Sequence, residues 1–279
     1  MTCTRSGAEQ ARALLRWYVE AGADEAIGES PVNRYAEAPP RPTAEPAPAD
    51  REAPPRRPRP RPTATVPLAL ESTDAAAGNA AALAAPCQTL TELRDALGRY
   101  EGCALKHTAT NLVFGDGAAA ADVMLIGEAP GADEDREGLP FVGVSGRLLD
   151  RMIAAIGLDR TSAYITNVLP WRPPGNRKPT TAECTACLPF IRRHIALIEP
   201  RILIFVGGTA ASALVGTTQG ITRLRGRWLI YRDPATPVDS EGIPAMPILH
   251  PAYLLRQPAL KRETWHDLLS VRARLDELD

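Results

Sequence analysis

The sequence predicts an α/β protein with a mainly parallel sheet, a three-layer α/β/α sandwich around four central strands. Three features carry this. Four short apolar runs, "DVMLIGEA", "SAYITNVLP", "RILIFVGG" and "MPILHP", each end in a loop containing Gly, Pro or Asn. Helical patterns fill the intervals between them, and such alternation places helices on both faces of a parallel sheet. Hydrophobic residues make up 44% of the 279, enough for a sizeable core.

In chain order, Leu14, Leu15, Tyr18 and Val19 fall at helical spacing and predict a short amphipathic helix over 8–22. From about Pro39 to Pro67 proline is so dense that regular structure is forbidden, and an extended linker is expected. Arg56, Arg57, Arg59 and Arg61 make it basic; it reads as a solvated tether, with a DNA-tracking arm as the alternative. The linker is expected to continue through the alanine-rich stretch to about Ala85. Residues 1–87 then form an N-terminal extension and 88–279 the folded domain. "QTLTELRDALGRY" predicts a helix with Leu90, Leu93 and Leu97 on one face, capped by Thr89 or Thr91.

Beyond it, "SGRLLDRMIAAIG", "TAECTACLPFIRRHIALI" and "TAASALVG" are the helices between the strands. "ITRLRGRWLIYRD" is expected as an added hairpin, and "LKRETWHDLLSVRARLDEL" as the closing helix. A formal net charge of −1 argues neither for nor against a polyanionic ligand, so local patches must do any gripping. Five cysteines are too few for a disulfide scaffold, and the start "MTCTRSGAEQ" lacks the apolar core of a signal peptide. A reducing cytoplasm is the expected setting, and no run is long enough to span a bilayer.

Ligands of open α/β sheets sit beyond the carboxyl ends of the strands. There the sequence puts Glu128 after the first strand, Asn167 at the end of the second, "GGTA" after the third and His250 after the fourth. Phe141 comes from the loop "GEAPGADEDREGLPFVG", whose carboxylates make it wrong for phosphate. A carboxylate, a carboxamide, an imidazole and an aromatic face suit a flat heterocycle. Singly, each has a plainer reading: Asn167 as a turn residue, Phe141 as core, His250 as a loop histidine, Glu128 as a helix cap. Together around one sheet they favour a site. His194 and His266, within amphipathic helices, read as structural or surface, and Arg192 and Arg193 as a solvated helix face.

"GEAPGADEDREGLPFVGVSGRLLD", "ITNVLPWRPPGNRKPT" and "HPAYLLR" resemble the three signature blocks of the family 4 uracil-DNA glycosylases, in order, over about Cys103 to Leu269. The resemblance implies base-excision repair: hydrolysis of the bond between uracil and deoxyribose once the nucleotide has been turned out of the stack. Phe141 is expected to stack on the base, and Asn167 to accept from N3–H and donate to O4. His250, as a neutral donor to O2, and Glu128, on the attacking water, are the expected catalytic pair. Gly127 and Ala129 are counted with the substrate pocket, and by the resemblance Glu134 crowds the 5-methyl position of thymine. For DNA gripping, Leu254 or Leu255 is expected as a wedge, with Arg256, Arg172 and Arg177 on the backbone. No lysine occupies a motif position suited to a Schiff base. DNA is the expected partner, for a monomer associated with the nucleoid, with the N-terminal tail contacting DNA or a repair or replication protein.

Most members of this family hold a [4Fe–4S] cluster on four cysteines. Here Cys103 and Cys187 match two of the positions, while Tyr100 and Trp171 stand at the others, and two thiolates do not hold such a cluster in the usual way. Cys103, His107, Cys184 and Cys187 leave a zinc site as an alternative on spacing alone. No metal or cofactor is the favoured reading, with Tyr100 and Trp171 filling the vacated volume. Three functional alternatives are weighed: a uracil-DNA binder or covalent trap without turnover; an enzyme of wider range that also removes hypoxanthine or other deaminated bases; and a scaffold on a vestigial fold whose N-terminal region binds a partner, against which intact Glu128, Asn167 and His250 argue. Relatives that trap DNA carry a basic insert between the first two blocks, and "GRLLDRMIAAIGLDRTSAYITN" has none.

Overall fold

The computed structural model describes residues 73–237, 239 and 241–278. The helix expected over 8–22 and the Pro/Arg-rich linker lie outside the described residues.

The sheet has six strands rather than four. Its order is β1 (Asp116–Gly117), β3 (Ala163–Asn167), β2 (Val123–Gly127), β4 (Ile202–Val206), β6 (Ile243–Ile248) and β5 (Leu229–Tyr231). The four expected strands form the parallel centre, and β1 and β5 are added antiparallel at the two edges. Both edges are too short to print a period on the sequence. The expected hairpin at "ITRLRGRWLIYRD" is also corrected. Its first part is a helical turn at Ile221–Leu224, and β5 pairs with β6 instead.

The central strands divide their side chains by the two-residue period of extended chain. Val123, Leu125, Ile165, Ile204 and Met246 face one helical layer, formed by α4 (Val144–Ala154) and α9 (Lys261–Asp276). Met124, Ile126, Tyr164, Leu203 and Phe205 face the other. That second layer holds α1 (Thr73–Ala84), α2 (Leu90–Arg99), α5 (Thr181–Ile198) and α6 (Gly208–Val215). Two short helices stand at the strand ends, α3 (Ala132–Glu137) and α8 (Pro251–Arg256), and the turn at Ile221–Leu224 is α7.

The linker expected to run to Ala85 ends earlier, because residues 73–84 are α1. Alanine is the strongest helix former, and its small side chain lets α1 lie close along α5 with Ala76, Ala80 and Ala84 buried. The folded unit therefore begins before residue 88. The cap of α2 is Thr89, whose hydroxyl accepts from the Glu92 N–H at 3.2 Å, while the Glu92 carboxylate accepts from the Gln88 N–H. The same device opens α5: Thr180 accepts from the Glu183 N–H, and Glu183 reaches back to the Thr180 N–H.

Candidate active site

The parallel strands deliver their carboxyl ends to one cleft of about 500 Å3, lined by Glu128, Ala129, Glu134, Phe141, Asn167 and His250 among others. Glu128 is the first residue past β2, Asn167 the last of β3, and His250 follows β6 and caps α8. Gly127 lies behind this set. A side-chain carbon there would stand 2.3 Å from Asn167 Oδ1 and 2.6 Å from Phe141 Cζ, so its bareness lets both pack against the strand end. Gly207, after β4, lies against His250, and there it is the backbone at φ 105, not a lack of space, that calls for glycine.

Asn167 is buried, and its Oδ1 meets no hydrogen-bond partner among the described residues. An acceptor left so in a polar cleft is costly unless a ligand donor meets it. Phe141 is also buried, with its ring centroid 5.8 Å from that of His250 at 32°. Its backbone takes the left-handed conformation at φ 55, which a bulky side chain adopts only under constraint.

The protonation of His250 follows from its surroundings. Nδ1 accepts from the Ala252 N–H at 3.1 Å, so in the neutral ring the proton sits on Nε2. Burial pushes its pKa down to about 4, with the nearby Arg256 charge adding to the drop and Glu134 opposing it. At neutral pH the cleft thus holds a neutral imidazole that donates from Nε2.

Glu134 does work the sequence reading missed. Its two oxygens accept from the backbone N–H groups of Gly131, at 3.1 Å, and Gly143, at 2.9 Å. The carboxylate therefore staples the two ends of the loop that carries Phe141, while also lining the cleft.

Leu254 is corrected as a wedge: it is 1% exposed and packs with Leu148 and Leu249, whereas Leu255 is 38% exposed. Neighbouring residues on a short helix turn to different sides, and only one of the pair faces outward. Arg256 lines the cleft, its guanidinium 6.0 Å from the Tyr253 ring. Arg177 lines it too but is tied to Glu183 at 2.5 and 2.9 Å, which pulls the Glu183 carboxyl down to about 2. Arg172 is outside the lining and donates to Asn176 Oδ1 at 2.7 Å. Tyr253, Ser145 and Asn176 line the cleft unforeseen. Tyr253 and Asn176 stand inside "HPAYLLR" and "RPPGNR", so the signal was present in the quoted blocks.

The corner where a cluster would be sought does not fit one. Tyr100 is 1% exposed, and its hydroxyl donates toward the carbonyls of Ala76, at 3.0 Å, and Ala186, at 3.1 Å. Its ring lies 5.1 Å from that of Phe190. Trp171 is buried and offers no ligating atom. Cys103 and Cys187 are buried; their mutual interaction draws the Cys103 pKa down and, with burial, pushes that of Cys187 up, while burial raises the Cys184 thiol to about 11. Only Cys103 is shifted toward the thiolate, and Cys184 and Cys187 are held as packed thiols. The zinc alternative fails on position: His107 is half exposed and faces Glu101 at 3.6 Å. Among the described residues no set of three or more His, Cys, Asp and Glu side chains converges as metal ligands. His194 is a core residue, bonded through Nε2 to the Tyr164 hydroxyl at 2.9 Å and stacked on Phe114. No helix among the described residues is long and apolar enough to cross a membrane.

The sequence model of the Uracil DNA glycosylase superfamily matches residues 114–269. Three curated relatives carry the name type-4 uracil-DNA glycosylase. The one from Sulfurisphaera tokodaii is 36% identical over 189 residues, spanning 66% of this chain and 84% of its own length. That from Archaeoglobus fulgidus is 39% identical over 177 residues, 61% and 84% of the two chains. That from Saccharolobus solfataricus is 37% identical over 191 residues, 66% and 85%.

Proposed function

Because the chain belongs to the uracil-DNA glycosylase superfamily, we propose that its cleft removes uracil from DNA, leaving an abasic site for repair. The observation that carries this is the buried Asn167 Oδ1, unpartnered within the described residues beside the Phe141 ring and the Nε2 donor of His250. An extruded uracil satisfies all three: its face on Phe141, its N3–H on Asn167 Oδ1, its O2 on His250. Cytosine has an acceptor at N3 and a donor at C4, so the carboxamide would be left unpaired, a penalty that reaches roughly 10⁴ in rate where a site is built on such bonds.

The chemistry asks for little more. As the bond from C1′ to N1 breaks, its electron pair goes to the base and positive charge grows on the sugar. His250 stabilises the uracil anion by donating to O2 without full proton transfer, as its low pKa suits. Glu128 orients the water whose oxygen bonds to C1′, takes up its proton, and offsets the charge on the sugar. Leu255 fills the gap left by the extruded base, and Arg256 reaches phosphate. Glu134 shapes the thymine boundary by holding the loop, and Gly127 and Ala129 form the wall. The reaction runs on these side chains without a cluster. The residues from Thr73 onward form the catalytic domain, acting as a monomer on DNA in the cytoplasm.

The test is alkali-revealed strand cleavage of a single-uracil oligonucleotide, with thymine and hypoxanthine controls, in EDTA. Multiple turnovers at uracil alone are expected. Cleavage at hypoxanthine would instead favour the wider-range enzyme, and a shifted DNA band without turnover would favour the binder. In Asn167→Asp the preference for uracil over cytosine should narrow at least about tenfold, which is about 1.4 kcal/mol; unchanged selectivity would show that Asn167 does not read the base edge.

A further inference from the structure

Phe141 has to be held somewhere, because its backbone is left-handed and its ring sits between Gly127 and His250. Two residues outside the cleft lining hold it. Gly146, in the first turns of α4, lies so close that a side-chain carbon there would stand 1.7 Å from the Phe141 carbonyl oxygen. On that same oxygen Arg160 Nη2 donates at 2.6 Å, and its Nη1 donates to the Pro140 carbonyl at 3.0 Å. Arg160 comes from the turn before β3 and is itself fixed by two carboxylates. Nη1 also meets Asp116 Oδ2 at 2.7 Å, and Nε meets Asp150 Oδ1 at 3.0 Å. The guanidinium thus uses its planar fork on four acceptors from β1, α4 and the Phe141 loop. No single-point cation can do this.

We propose that Arg160 is a positioning residue for uracil removal: it locks the Pro140–Phe141 carbonyls so that the Phe141 ring stands ready to stack on the base. The inference rests on the stacking role proposed above for Phe141. The ion pairs with Asp116 and Asp150 are partly exposed and contribute little alone; their part is to orient the fork toward the two carbonyls. With the fork gone, the left-handed backbone relaxes and the ring leaves its place. Misplacement by about an ångström costs on the order of 100-fold in rate.

The experiment is a double-mutant cycle read by single-turnover uracil release at saturating enzyme, on Arg160→Met, Phe141→Ala and the double variant. Arg160→Met alone should lose about 10- to 100-fold in the maximal rate, with DNA affinity changed less than about twofold. In the Phe141→Ala background the same change should cost less than about twofold, since no ring remains to be placed. Equal losses in both backgrounds, or an unchanged rate with only a lower melting temperature, would overturn the proposal and leave Arg160 a stabilising residue. If Arg160→Met does not fold, Arg160→Lys serves: it keeps the charge but cannot span both carbonyls, and should show the same coupling with a smaller loss. A readout apart from activity separates this inference from the functional one. In protein labelled with 13C-histidine, the His250 ring protons, assigned by His250→Gln, should shift in Arg160→Met as the neighbouring ring moves. That shift in a protein without turnover would sustain the clamp while the glycosylase reading fell; no shift would sink the clamp whatever the activity.

Discussion

Replacing Gly127 by alanine tests how closely the cleft is assembled, because one methyl group would strike both base-recognising side chains at once. The added carbon would stand 2.3 Å from Asn167 Oδ1 and 2.6 Å from Phe141 Cζ. Ordinary contact begins near 3.4 Å, so the carboxamide must retreat by about 1.1 Å and the ring by about 0.8 Å. Both are buried on the protein side, so they can retreat only into the cleft, away from the positions in which they would meet the base. A displacement of about an ångström at a reacting centre corresponds to roughly 100-fold in rate, or about 2.7 kcal/mol of barrier. Overpacking adds a stability cost of about 1–3 kcal/mol, visible as a melting shift of several degrees. The assay is single-turnover uracil release at 25 °C, well below that transition, with DNA affinity measured in parallel. We expect the rate to fall about 100-fold and the affinity to stay within about threefold, because the methyl group faces the base pocket and not the backbone. A Gly127→Ala enzyme within twofold of the native rate would refute the reasoning, and with it the claim that Asn167 and Phe141 act from these positions.

His194 and His250 are held neutral by burial, with pKa values near 3 and 4 against about 6.5 unfolded, so the unfolded chain binds more protons and stability falls as pH drops from 6.5. Between pH 6.5 and 5 the loss should be roughly 1.6 kcal/mol per histidine, read from urea midpoints, and His194→Gln should remove about half of it; a midpoint unchanged down to pH 5 would contradict the burial argument. Tyr100→Phe removes a buried O–H donor shared by two carbonyls and should cost about 1–3 kcal/mol, while chelators should leave both melting and turnover of the native protein unchanged. Iron in stoichiometric amount, or melting lowered by EDTA, would count against the packed-corner reading. Deleting residues before Thr73 should preserve base removal, whereas deletion up to Gln88 strips α1 from α5 and should lower the melting temperature sharply; equal behaviour of the two truncations would make α1 dispensable.

What could be read in advance depended on how much physics a residue wears locally. The parallel centre was legible because strands buried on both faces must be apolar throughout, and "ILIFV" or "VMLIG" admits few other readings. Edge strands of two and three residues carry no such imprint, and β1 is simply Asp-Gly. The alanine-rich stretch reads as linker in sequence because low complexity and a close-packed helix look alike until the partner helix is known. Glu128, Asn167 and His250 were legible as strand-end residues, and Phe141 as part of the loop that β2 opens, with an unusual joint chemistry. Arg160 was not, because its decisive partners are backbone carbonyls some twenty residues away, which no side-chain pattern announces. The choice between Leu254 and Leu255 turned on the orientation of a six-residue helix, and only packing decides that.

The phenol of Tyr100, bonded at once to a carbonyl of α1 and one of α5, has a consequence for the conditions under which such an enzyme stays at work. A corner sewn together by an inorganic centre is hostage to iron supply, to the machinery that assembles it and to oxidants that strip it. A corner closed by an aromatic plug is finished when the chain has folded. Closed that way, it would ask nothing of metal homeostasis, and the four described cysteines, Cys87, Cys103, Cys184 and Cys187, are buried. Deamination of cytosine does not pause when a cell is starved of iron or under oxidative attack, and a repair protein closed in this way would keep pace with it through both.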